Sequence, residues 1–202
     1  MINFISPNSK LPLTKRDSFL VSEAGEKFSL IDDIPRFVGT KNYADAFGMQ
    51  WNIYAKTQLD SHTGTSLSLV RLERCLGFSA ENLRDKNVLE VGCGAGRFTE
   101  LLVKAGAHTH AVDISRAVDA NKGNIGASSN YSIAQANVYG LPFPEQSFDV
   151  VLCLGVIQHT PSSQKTIRSL WKMVKPGGLL VIDHYSFKIG YYTTLTPVYR
   201  FF

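Results

Sequence analysis

The sequence predicts an α/β fold: a doubly wound, mainly parallel sheet, preceded by a small N-terminal β-hairpin module and a helical lid. Three observations carry this expectation. From residue 87 onward, short apolar runs alternate with helical patterns. Those runs are apolar throughout, as strands are when helices cover both faces of a parallel sheet. The first run also feeds a glycine-rich turn that opens a helix, the arrangement in which open α/β sheets hold ligands.

The elements follow in order. In residues 1–40, β-like pieces at 18–21 and 27–30 flank the turn Glu23-Ala24-Gly25-Glu26, and Pro35 favours extended backbone after them. Residues 41–86 read as a helical lid or connector. Tyr43, Ala46, Phe47 and Tyr54 lie near helical spacing, and Leu67, Val70, Leu72, Cys75 and Leu76 mark a second helix that Gly77 ends. Residues 87–202 form the main domain. Strands are expected at 88–91, 109–112, 131–134, 148–154 and 179–182, with helices at 97–104, 116–122 and 164–174, joined by right-handed crossovers.

Composition narrows the class. The chain has 202 residues, room for one domain with a small appendage. Hydrophobic residues make up 44% and charged residues 19%, ordinary values for a globular protein. No run approaches the roughly 18 apolar residues of a membrane span. The start lacks a basic region followed by a long apolar one, so a cytoplasmic location is expected. Cys75, Cys93 and Cys153 are odd in number and widely spaced, which fits buried thiols better than disulfides or metal ligands. Net charge is +4 without a basic block. Lys165, Arg168, Lys172 and Lys175 read as one solvated helix face, and no nucleic-acid partner is inferred.

The segment Val88-Leu89-Glu90-Val91-Gly92-Cys93-Gly94-Ala95-Gly96-Arg97-Phe98 is the most informative. A dinucleotide fold wants G-x-G-x-x-G, with pyrophosphate on the helix N-terminus. Here Arg97 fills the third glycine position, and glycine at 92, 94 and 96 suits a ligand lying flat over the loop. Asp113 ends the next strand about 20 residues on, where a carboxylate accepts hydrogen bonds from ribose hydroxyls. A plain helix cap is the competing role for Asp113, one that Ser115 could fill equally well.

This segment resembles motif I of class I S-adenosylmethionine (SAM)-dependent methyltransferases, whose domain is Rossmann-like. Ala111-Val112-Asp113-Ile114-Ser115 resembles the segment that follows motif I. Ala136-Asn137-Val138-Tyr139-Gly140-Leu141-Pro142-Phe143-Pro144 with Ser147-Phe148-Asp149 resembles the adenine loop and fourth strand, and Val174-Lys175-Pro176-Gly177-Gly178 resembles the turn before the fifth. The resemblance implies SAM as cofactor and S-adenosylhomocysteine as product. It implies that Glu90, Gly92, Cys93, Gly94 and Gly96 face the aminoacyl part, that Asp113 holds the ribose and that Ile114 packs on adenine. Asn137, where many members have Asp, would accept from the adenine amino group, although a turn-forming Asn reads equally simply. Val138 and Leu154 complete the implied cofactor set.

Upstream, Ile34-Pro35-Arg36-Phe37, Phe47-Gly48-Met49-Gln50-Trp51-Asn52 and Lys56-Thr57-Gln58-Leu59-Asp60 resemble bacterial methyltransferases that carry a small zinc-ribbon-like module. Ser6, Ser9, Ser22 and Gly25 stand at its cysteine positions, so a metal-free module is expected.

For chemistry, His159 is the candidate general base, with His184 and Tyr185 behind it. A His that shapes the pocket by bonding loop backbone is the alternative. Gln50, Trp51 and Gln58 are candidates for a lid. The family sheet carries seven strands and five are legible, so the C-terminal region reads as truncated, with an open edge at the fifth strand. The tail 191–202 reads as an interaction segment. The expected function is methyl transfer from SAM to a small-molecule acceptor, a biosynthetic metabolite. The alternatives are a non-catalytic SAM-binding module in a complex and, against the loop pattern, a nicotinamide-dependent oxidoreductase.

Overall fold

A computed structural model of the protein describes residues 1–39, 45–184 and 198–201; at 45–47 and 198–201 the description is of the backbone alone. The N-terminal module is a four-stranded antiparallel meander of β1 (Leu13–Arg16), β2 (Phe19–Ser22), β3 (Lys27–Ile31) and β4 (Ile34–Pro35). The expected pair is present as β2 and β3, and the structure adds a strand on each side. β1 and β4 are short and mostly polar or proline-bearing, so alternation does not reveal them.

The serine positions of this module come together. Ser6 Oγ accepts from the backbone N–H groups of Asn8 and Ser9 at 3.1 and 3.2 Å. Ser22 Oγ donates to Glu26 Oε2 at 3.0 Å and Asn8 Nδ2 donates to Oε1 at 3.1 Å, while Ser9 Oγ also donates to Oε2. Gly25 N–H closes the second turn on Ser22 O at 3.0 Å. Two turns thus meet on one carboxylate. The hydroxyls of Ser9 and Ser6, with Asn8 and Ser22, pull the Glu26 pKa down to about 2.

The segment expected as a lid or connector holds α1 (Asp45–Ile53), α2 (Asp60–Thr63) and α3 (Leu67–Leu76). Tyr43 and Tyr185 lie outside the described residues. Ser68, Leu72, Cys75 and Leu76 form the buried stripe of α3. Its free N–H groups are met by Asp60, which accepts from Ser68 N and Leu69 N at 3.0 and 2.9 Å.

The main sheet runs through β5 (Asn87–Val91), β6 (His108–Asp113), β7 (Tyr131–Gln135), β8 (Phe148–Cys153), β9 (Val174–Asp183) and β10 (Val198–Phe201). Helices α4 (Thr99–Lys104), α5 (Ala117–Ile125) and α6 (Ser163–Trp171) connect the parallel strands. Strand order is β10-β9-β8-β5-β6-β7, so chain order reverses beside β5, at the switch point where such sheets bind ligands. One core packs Leu89, Val112, Val151, Leu170 and Leu180 with Phe143 and Phe148; a second packs Val88, Leu102, Leu152 and Val181 against α3.

Two expectations change. The fifth strand is not an open edge: β10 pairs with it antiparallel, Val198 opposite Asp183 through Phe201 opposite Leu180. A four-residue strand inside an aromatic tail carries too little alternation to be read in advance. Lys175 leaves the helix face, because α6 ends at Trp171 and Lys175 lies in β9, bonded to Asp149 at 3.0 Å.

The module docks on the β7 edge. Phe37 N donates to Gln135 O at 2.8 Å, and Arg36 bridges Gln135 in parallel register. Ile34 is buried with Ala111, Val118, Tyr131 and Ile133.

Candidate cofactor-binding site

At the carboxyl ends of β5, β6 and β8 lies a cavity of about 300 Å³. Its floor is the loop after β5, with Gly92, Cys93, Gly94 and Ala95 lining it. Glycine at 92 is required by space: φ is 78°, and a Cβ there would sit 2.2 Å from Val156 Cγ2. The loop after β8 therefore rests directly on the loop after β5. Gly48 serves α1 in the same way, since a Cβ would sit 2.9 Å from Arg116 N. That approach brings Trp51 over Gly94.

Two carboxylates define one side. Asp113 Oδ2 accepts from Gly94 N at 3.0 Å, and Oδ1 accepts from Ser115 N and Oγ at 2.8 and 2.7 Å. Asp113 orders the turn before α5, and Ser115 Oγ accepts from Ala117 N, the first N–H of that helix, at 3.2 Å. Burial raises the Asp113 pKa, while the Ser115 and Gly94 donors oppose that rise.

Glu90 heads a buried chain of donors. Tyr131 OH donates to Asn121 Oδ1 at 2.7 Å. Asn121 Nδ2 donates to Thr99 Oγ1 at 3.0 Å and to Gly94 O at 3.3 Å. Thr99 Oγ1 donates to Glu90 Oε2 at 2.6 Å. Gly94 is thus held by its N–H and its carbonyl from opposite sides. Burial pushes the Glu90 pKa up to about 8, with the Thr99 hydroxyl opposing and the Asp113 charge adding.

The far wall is apolar. Ile114, Ala136 and Val138 line it, with Leu154 and Val156 across from them. Of the expected cofactor residues, Glu90, Gly92, Cys93, Gly94, Asp113, Ile114, Val138 and Leu154 line this one cavity. Gly96 and Asn137 are not among the lining residues. Gly96 faces Asn121 and Ile125, and Asn137 Oδ1 caps its own turn by accepting from Tyr139 N at 3.0 Å.

His159 and Thr160 stand at the rim, with His159 exposed. Trp51 and Gln58 line the lid side, whereas Gln50 does not. His184 is half-buried and is not among the lining residues.

Sequence reading missed Arg71 and the Asn121 network, and gave Phe98 and Gly155 no role of their own. Arg71 reaches in from α3, pairs with buried Asp183 at 2.6 Å and stacks on Phe98. Asp183 also accepts from Gly155 N, so the end of β9 fixes the loop after β8. Only long-range packing brings these residues together. All three cysteines are free and buried, and burial raises each thiol pKa. Among the described residues no group of three His, Cys, Asp or Glu could hold a metal ion, and no helix is long and apolar enough to cross a membrane.

The doubly wound sheet, with a glycine loop at its switch point, defines a Rossmann-like ligand-binding domain. Residues 89–182 match the family model described as a methyltransferase domain. Over 101 residues, 48% of this chain and 43% of the relative, the sequence is 38% identical to a ubiquinone biosynthesis O-methyltransferase of Pseudomonas fluorescens. The Coxiella burnetii enzyme of the same name is 33% identical over 125 residues, 59% of this chain and 53% of the relative. The chain spans about half the length of these curated relatives. In fold it is similar to a Methanococcus maripaludis protein assigned as an S-adenosyl-L-methionine-dependent methyltransferase, at TM-score 0.54, 17% identity, and coverage of 72% of this chain and 65% of that one. A chain of the Haloferax volcanii complex between the Trm112 methyltransferase activator and its methyltransferase gives TM-score 0.53 at 16% identity, covering 72% and 61%.

Proposed function

We propose that the protein transfers a methyl group from SAM to a hydroxyl of a small biosynthetic metabolite. The observation that carries this reading is the convergence of the glycine loop, Glu90 and Asp113 on one cavity with an apolar far wall. The lining fits the cofactor part by part. Glu90 and Asp113 suit a ligand with cationic groups and a ribose diol, and Ile114, Ala136 and Val138 suit a flat purine. O-methylation is supported by the names of the curated relatives.

SAM supplies the hard chemistry, a methyl on a sulfonium that is already a good leaving group. This chain contributes position and exclusion of water. Asp113 keeps Gly94 and Ser115 ordered and offers its carboxylate to the ribose. Glu90, set by Thr99 and Asn121, faces the aminoacyl end. Trp51 and Gln58 close the lid side. His159, at the rim after β8, is the residue of choice to accept the acceptor's hydroxyl proton. The three free cysteines support a reducing compartment, the cytoplasm.

Calorimetry with SAM and S-adenosylhomocysteine, with NADH as control, tests the cofactor. Saturable binding of the SAM pair alone is expected. Asp113→Ala should weaken it by about 1.5–3 kcal/mol, the scale for hydrogen bonds to a charged group. A folded variant with unchanged affinity removes Asp113 from the site. Turnover of a phenolic or alcohol acceptor, abolished or slowed in His159→Ala, tests the transfer step.

A further inference from the structure

We propose that Arg36, in the N-terminal module, is a positioning residue for the purine side of the cavity, acting through Gln135 on Ile114. The proposal rests on the cofactor reading above.

Arg36 is 7% exposed and Gln135 is 4% exposed. The Arg36 guanidinium donates through Nη1 to Gln135 Oε1 at 3.3 Å and through Nη2 to the Asp119 carboxylate of α5. Gln135 Nε2 in turn donates to Ile114 O at 2.9 Å. Ile114 lines the cavity beside Asp113. Gln135 also precedes Ala136, another residue of that wall, whose N–H donates to Asp113 O at 2.9 Å. Gln135 therefore holds one edge of the purine shelf through its side-chain amide and adjoins the other through the chain.

The direction of the relay follows from donor chemistry. A guanidinium has five donors and no acceptor. It therefore forces the oxygen of the Gln135 amide toward itself, which leaves the nitrogen to meet the Ile114 carbonyl. Without Arg36 the amide loses the partner that selects this orientation. The reverse orientation would set two oxygens face to face in a buried site. The module supplies this one orienting cation from 99 residues away in sequence. Backbone docking of Phe37 on Gln135 O holds the two parts at the distance the relay needs.

Gln135→Glu separates the relay from docking of the module. It keeps an acceptor for Arg36 but replaces the donor facing Ile114 O with an oxygen. Affinities for S-adenosylhomocysteine and for adenosine should both fall about tenfold, the scale of a lost buried hydrogen bond. Hydrogen exchange should quicken at amides 113–117 and not across the rest of the sheet. Arg36→Met should act in the same direction, and Arg36→Lys should recover part of the loss. Wild-type affinity and exchange in a folded Gln135→Glu protein overturns the proposal, as does acceleration spread evenly over the sheet. If the unaltered protein binds neither ligand, the cofactor reading fails by itself. The exchange comparison then decides alone: quickening confined to 113–117 supports the relay, and unchanged exchange overturns it.

Discussion

Burial pushes the Glu90 pKa up to about 8 against the Thr99 hydroxyl, with the Asp113 charge adding, which favours the protonated form in the free protein. A ligand that brings positive charge favours the ionised form. Binding of SAM should therefore release a proton and tighten as pH rises toward about 8, then level off. Calorimetry in two buffers of different ionisation heat reads that proton, and Glu90→Gln should abolish the pH dependence. His110 works on stability instead. It is fully buried, with Nε2 accepting from Ile2 N at 3.4 Å and Nδ1 2.9 Å from Ser132 Oγ. Burial drives its pKa from 6.5 to about 3. Between those values the unfolded chain binds the extra proton, so stability falls as pH drops, by up to about 1.4 kcal/mol per pH unit. Denaturation midpoints across pH 3–7 test this, and His110→Gln should flatten the slope. Gly92→Ala tests the loop contact. The new methyl would strike Val156, so the variant should lose stability, with partial recovery in Gly92→Ala/Val156→Ala. The recovery stays partial because the positive φ remains strained.

At the scale of elements, α6 binds its face of the sheet through Thr166 and Leu170, four residues apart and both fully buried. Leu170→Ala should cost about 2–5 kcal/mol, read by chemical denaturation. The helical segment at 164–174 was legible between two strand-like runs, and unbroken apolar runs made β5 to β9 legible. The loop at 92–96 and Asp113 were legible because they combine a steric need for glycine with a carboxylate at fixed distance. Other features depend on distant partners. Nothing local marks Arg71 as a lining residue, since its place is set by Asp183, 112 residues on. Asn137 shows another limit: its Oδ1 accepts from Tyr139 N and keeps a second lone pair, so the turn-forming role and an adenine contact read alike in sequence. β1 and β4 escaped because they are mostly polar or proline-bearing, and β10 because it lies in an aromatic tail with no alternation to set it apart.

At the scale of the molecule, the module and the large sheet share a core through Ile34. A single cooperative unfolding transition is expected, with exchange in β2 and β3 protected together with the sheet. Ile34→Ala should lower overall stability by about 2–5 kcal/mol. A separate early transition of the module would show that docking contributes little. The strand order also bears on how the protein is made. Once β5 has emerged from the ribosome, each later strand meets a partner already synthesised: β6 on β5, β7 on β6, then β8 on the other flank of β5, and β9 and β10 outward from it. The sheet can grow vectorially and never waits for a missing neighbour. The module is the exception. Arg36 emerges 99 residues before Gln135. At translation rates of about 5–20 residues per second, it spends roughly 5–20 s without the edge it docks on. During that interval Ile34 is an exposed apolar side chain on a nascent chain, a natural place for a chaperone to hold.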